Sequence, residues 1–68
     1  MNKVKTLYKG AFNYSREMEI RYAHAYSGRQ AKVLMMRQLA NDHDVSYQTV
    51  FAMFNGDKPN FTIEKEAL

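Results

Sequence analysis

Two histidines open any catalytic reading of this 68-residue chain, and neither has the company that a reaction needs. His24 and His43 have no Ser or Cys at a spacing that builds a nucleophile–base pair, and the chain has no cysteine. Gly10, Gly28 and Gly56 stand singly, so no glycine-rich loop is present to cradle a phosphate. Asp42-His43-Asp44 is the one run of metal-ligating types. Three consecutive residues at a helix end point in different directions, so the run reads as a polar turn. Five methionines offer soft, adaptable contacts, although Met35 and Met36 fall where a core is expected. The chemistry within reach is binding, and the expectation is a protein that is not an enzyme and carries no cofactor and no metal.

Charge says what such a protein would bind. Residues 1 to 37 hold eight cations (Lys3, Lys5, Lys9, Arg16, Arg21, Arg29, Lys32, Arg37) against Glu17 and Glu19. Residues 38 to 68 hold Lys58 and Lys65 against Asp42, Asp44, Asp57, Glu64 and Glu66. The first half is therefore basic and the second mildly acidic. A basic half suits an anionic partner, either nucleic acid or an acidic protein surface. Exposed Tyr, Met and Arg are also favoured where one protein docks on another.

The elements that position these residues follow from periodicity. Val4 to Tyr14 alternates, with Val4, Thr6, Tyr8 and Phe12 on one parity and Lys5, Lys9 and Asn13 on the other. That is a strand with one wet face, and Gly10 within it marks a bulge. Asn13 to Glu17 is a polar connection. Met18 to Tyr26 alternates again, with Met18, Ile20 and Tyr22 opposite Glu19 and Arg21, which completes a hairpin. Ser27 with Gln30 forms a capping box, and the period then becomes helical to about Asp42. Ala31, Leu34, Met35 and Leu39 make its apolar stripe, widened by Met36 and Ala40, with Arg29, Lys32 and Arg37 on the opposite arc. Ser46 caps a second, short helix carrying Tyr47, Val50, Phe51 and Phe54, which leaves through Asn55-Gly56. Pro59 resets the chain, and Asn60 to Glu66 is a last strand with Phe61 and Ile63 on one face. The order is β-β-α-α-β. The simplest packing is an α+β fold, with a three-stranded antiparallel sheet and both helices on one face. The other sheet face would expose tyrosines and cations.

The segment from Leu39-Ala40 through Val45-Ser46-Tyr47-Gln48-Thr49-Val50 to Asn55-Gly56 resembles the helix-turn-helix of the lac repressor family. That resemblance implies DNA binding. It places Tyr47 and Gln48 against base edges, Ser46, Thr49 and Asn55 against the backbone, and Ala40, Val45 and Val50 between the helices. A glutamine can pair adenine in the major groove, and a capped helix start favours phosphate. The sequence departs from the family at the turn glycine, which is Asp44, at a small core residue, which is His43, and at Phe51 and Ala52 of the reading helix. A broader likeness rests on the aromatic hairpin followed by Ala25-Tyr26-Ser27, Gln30-Ala31 and Arg37-x-Leu39-Ala40. It is similar to small uncharacterised bacteriophage and prophage proteins, and implies a phage-type accessory or regulatory role.

Length allows one domain spanning residues 1–68. At 46% hydrophobic residues the chain is too apolar to stay unfolded. Without disulfides so thin a core invites self-association, so a homodimer is expected. No targeting or membrane segment is evident, which makes the cytoplasm the expected address. The leading expectation is a DNA-binding accessory protein using Arg29, Lys32 and Arg37 together with residues 46–49 and Asn55. The alternative is an inhibitor or adaptor that binds a host protein.

Overall fold

The computed structural model describes residues 4–55 and 60–66. They form β1 (Thr6–Tyr14), β2 (Glu17–Ala25), α1 (Gly28–Asp42), α2 (Tyr47–Met53) and β3 (Phe61–Lys65). The strands make one antiparallel sheet in the order β2-β1-β3, and the expected α+β arrangement holds. The expected helix exit at Gly56 and the chain reset at Pro59 lie outside the described residues.

The β1–β2 hairpin is tight because Tyr14 pairs with Glu17, leaving Ser15 and Arg16 as the two turn residues. Both have positive φ, 50° and 70°. A type I′ turn requires this, and its twist matches that of the strands it joins. Neither residue is glycine or asparagine, so the turn is strained locally and the long strand pairing holds it in place.

Parity along β1 falls as its alternation predicts: Thr6, Tyr8, Gly10 and Phe12 face the helices, with Phe12 fully buried. On β2 the pattern misleads. The apolar parity, Met18, Ile20 and Tyr22, is the exposed one, at 63%, 39% and 49%. Glu19 and Arg21 lie on the helix side with Ala23 and Ala25. The pairing Gly10↔Arg21 and Phe12↔Glu19 forces this, because directly opposed residues share a face. Ala23 and Ala25 are buried on this side, where α1 packs on β2.

Gly10 does not mark a bulge. Pairing runs unbroken through it, to Arg21 on one side and Ile63 on the other. The glycine is there for clearance instead. A Cβ at this position would stand closer than 3.0 Å to both Met35 Sδ and Phe12 Cε1. The missing side chain lets α1 settle onto the central strand.

α1 begins with the expected cap: the Ser27 hydroxyl accepts the Gln30 amide hydrogen at 3.2 Å. Gln30 returns one residue further back than a standard capping box, its Oε1 accepting from the Tyr26 N–H at 2.7 Å. Ala31, Met35, Met36, Leu39 and Ala40 are buried. Leu34, expected in the same stripe, is only partly buried at its edge. Gln38 donates to the Tyr22 carbonyl at 3.1 Å and so ties α1 to the outer edge of β2.

α2 packs against α1 and reaches the sheet through Phe54. Phe54 meets Phe12 edge-on with ring centroids 5.0 Å apart, and meets Phe61 at 6.2 Å. Phe12 and Phe61 stack at 6.0 Å. This aromatic triad joins β1, β3 and the exit of α2. The Asn60 side chain closes the same corner by donating to the Met53 carbonyl at 2.8 Å.

The glycine clearance carries a direct test. Gly10→Ala should lower stability by about 1–3 kcal/mol, the range for overpacking a closed core. Urea denaturation reads this as a lower midpoint at unchanged slope. An unchanged midpoint would show that Met35 and Phe12 give way freely and that α1 does not depend on the clearance.

Candidate functional site

Two clusters of polar and aromatic side chains stand out, at opposite ends of α1. The first lies at its C-terminus. Arg21 Nη2 contacts Glu19 Oε1 at 2.9 Å and Asp42 Oδ2 at 2.8 Å, and Nη1 donates to the Ile20 carbonyl at 2.9 Å. His43 Nε2 stands 3.3 Å from the same Glu19 oxygen. The His43 ring stacks on Tyr14 at 4.1 Å. Asp42, an acid at the negative end of a helix, is unfavourable alone, and the guanidinium offsets it. Asp44 takes φ 53°, the left-handed turn conformation for which the resembled family uses glycine. Of Asp42-His43-Asp44, the first two converge on one cluster, joined through Arg21 and Glu19, and Asp44 is exposed. Among the described residues no group of three His, Cys, Asp or Glu side chains is placed to hold a metal. This cluster locks α1 onto β2.

The second cluster is a groove of about 560 Å³ between α1, α2 and β3. Gly28, Arg29, Lys32, Val33 and Met36 line it from α1, Tyr47, Phe51, Phe54 and Asn55 from α2 and its exit, and Ile63 from β3. The Lys32 ammonium lies 3.9 Å from the centre of the Phe61 ring, and the Arg37 guanidinium lies 5.9 Å from that of Tyr47. Tyr47 and Phe51 are near parallel, 9° apart, with ring centres at 6.0 Å. Among the described residues neither Arg29 nor Arg37 has a carboxylate partner. Among the described residues of α1, α2 and the turn between them, the acids are Asp42 and Asp44, and Asp42 lies about 20 Å along the helix from Arg29 at 1.5 Å per residue.

The sequence-derived site residues therefore divide. Arg29, Lys32, Tyr47 and Asn55 come together in the groove, and Arg37 joins them through Tyr47. Gln48 and Thr49 are exposed on the outer side of α2, beside exposed Ser46. Ser46 and Thr49 occupy each other: Ser46 Oγ accepts from the Thr49 N–H at 3.2 Å, and the two hydroxyls share a hydrogen bond at 2.9 Å. Tyr47 is half-buried and turned toward Phe51. Ala40 and Val50 pack between the helices at 6% and 0% exposure, while Val45 stays at the surface at 36%. Phe51, Met36, Val33 and Ile63 were not singled out for this site. Phe51 and Ile63 sat in the helical and strand patterns, where an apolar residue reads as core.

Among the first-half cations, Lys5, Lys9, Arg21, Arg29, Lys32 and Arg37 do not share one face. Arg21 is consumed in the lock, Lys9 stands opposite Glu64 on the open sheet face, and Lys5 lies 5.7 Å from the Tyr26 ring. Arg29, Lys32 and Arg37 stay together on α1. Comparison with known proteins finds no matching family, no matching curated protein and no matching solved structure.

Removing the guanidinium of the lock tests its structural role. Arg21→Met leaves Glu19, 19% exposed, with the His43 ring in place of the guanidinium and should lower stability by about 1–3 kcal/mol. Adding Glu19→Leu should recover most of that loss, since an apolar pair replaces a half-buried ion pair at little cost. Thermal midpoints of the two variants read the outcome. Equal destabilisation by both would place the importance of Arg21 elsewhere.

Proposed function

We propose that this protein is a small nucleic-acid-binding accessory protein that engages DNA through its helical layer. The carrying observation is the convergence of Arg29 and Lys32 with Tyr47, Phe51 and Asn55 at one groove, with Arg37 over the Tyr47 ring beside it. Cations supply phosphate attraction, aromatic rings offer stacking surface, and an amide offers hydrogen bonds to a base. The likeness of residues 39–56 to the lac repressor family's helix-turn-helix supports the same reading. So does the left-handed turn at Asp44, where that family carries glycine.

A second reading rests on the open sheet face. Met18, Ile20 and Tyr22 are exposed there in a row along the edge strand β2, beside Ala11 and Leu7 of β1. Apolar side chains on an uncovered sheet suit a protein partner, either a host protein in an inhibitor or adaptor role or a second copy of the chain. No helix among the described residues is long and apolar enough to cross a membrane.

Fluorescence anisotropy with labelled DNA separates the two. Binding should appear at about 50 mM salt and weaken with a log–log slope of roughly −2 to −3, as three phosphate contacts require. Lys32→Gln should flatten the slope by about 1 and weaken all sequences alike, whereas Gln48→Ala should change sequence preference by about 1–3 kcal/mol if α2 reads bases. Absence of any DNA binding at low salt leaves the sheet face, and a protein partner, as the functional surface.

A further inference from the structure

Building on the nucleic-acid reading, we infer that the groove between α1, α2 and β3 takes single-stranded nucleic acid, with an unstacked base resting against Phe51 and Tyr47 and the flanking phosphates held by Arg29, Lys32 and Arg37. The site's shape argues for a strand rather than a duplex. Reading a duplex through α2 requires that helix to project side chains with hydrogen-bonding groups into the major groove. α2 has seven residues and is about 10 Å long. Its exposed side after Thr49 carries Phe51 and Ala52, which offer no hydrogen bonds. Ser46 and Thr49 are engaged with each other. Tyr47 is turned into the groove against Phe51, beneath Arg37. Of the residues that the resemblance assigns to bases, Gln48 alone stays outward.

The groove has the opposite character. It is concave, and its volume of about 560 Å³ falls within the range of clefts that enclose a small planar ligand. Two near-parallel aromatic rings stand on its α2 wall, and Phe51 is 36% exposed, so part of its ring is open to a stacking partner. Arg29 and Lys32 line the α1 wall, and the Arg37 guanidinium sits over Tyr47. Asn55 adds a side-chain amide with both donor and acceptor for a base edge. Every base has a face to stack, but a base within a duplex cannot present it. Charge runs the same way: among the described residues Arg29 and Arg37 have no carboxylate partner, which suits phosphates at this groove.

The test compares a labelled 12-nucleotide oligothymidylate with a 12-base-pair duplex on the intact chain, by anisotropy at low salt. Tighter binding of the single strand is expected. Phe51→Ala should weaken it about 10-fold through lost stacking, and Arg29→Gln, an exposed position that cannot disturb the core, should weaken it and flatten its salt dependence. Ile20→Ser on the open sheet face should leave it unchanged. Circular dichroism confirms that Phe51→Ala is folded, and the Arg29 variant keeps the test valid if it is not. Preference for the duplex, or single-strand binding indifferent to both Phe51→Ala and Arg29→Gln, overturns this inference while the nucleic-acid reading stands. Binding of neither oligonucleotide overturns both.

Discussion

Everything on the helical side of this molecule depends on how closely α1 can approach β1, and Gly10 sets that distance. β1 is the central strand, paired on both edges, so it cannot shift aside for a helix. Met35, fully buried on α1, occupies the space a side chain at position 10 would need. Because the helix sits low there, Phe12 and Leu39 are sealed from water, and the sheet side of β2 admits alanine beneath it. α2 rests on α1 and reaches the sheet through Phe54, so its place follows from that of α1. The groove wall formed by Tyr47 and Phe51 thus inherits its position from a glycine on the far side of the core.

The lock around Arg21 makes the second adjustment. A helix held only at its middle can pivot, and Gln38 and Asp42 fasten the later half of α1 to the edge strand. The arrangement also changes what the charges mean. Counted along the chain, Arg21 belongs to a basic half and Asp42 to an acidic one. In the fold they neutralise each other, with Glu19 and His43 drawn into the same cluster. The basic surface is therefore narrower than the sequence suggests, and its helical part is confined to α1.

The parts of this structure that local chemistry dictates were legible in advance. Alternation placed Phe12 inward, Ser27 and Ser46 were readable as caps, and the change of period at Ser27 set the order of elements. Those signals depend on neighbours a few residues apart. Three features needed the tertiary arrangement. Gly10 suggested a bulge because a glycine inside a strand has two explanations, and the choice between them depends on Met35, twenty-five positions away. β2 hid its orientation because its bulkiest apolar residues, Met18, Ile20 and Tyr22, face outward while small alanines face in. A pattern scored by hydrophobicity alone favours the wrong side. The site was half visible: the charges of Arg29, Lys32 and Arg37 stood out, but Phe51 and Ile63 read as ordinary core, since an apolar residue at helical or strand spacing carries no sign that it borders a groove.

The exposed face of β2 and the groove are two consequences of one shortage. A chain of 68 residues has enough apolar surface for a two-layer core and too little to cover both faces of its sheet. α1 and α2 cover one face, and Met18, Ile20 and Tyr22 remain on the other. On the covered face α2 has seven residues against fifteen in α1, so among the described residues no second helix runs the full length of α1. The groove opens between the two helices and β3. It is floored by Met36, Phe54 and Ile63 from the core, and walled by whatever α1 and α2 turn toward each other. On α1 those residues are Arg29 and Lys32, and on α2 they are Tyr47, Phe51 and Asn55. Arg29 on this rim is exposed and, among the described residues, has no carboxylate partner, which leaves its guanidinium open to the anionic occupant proposed above.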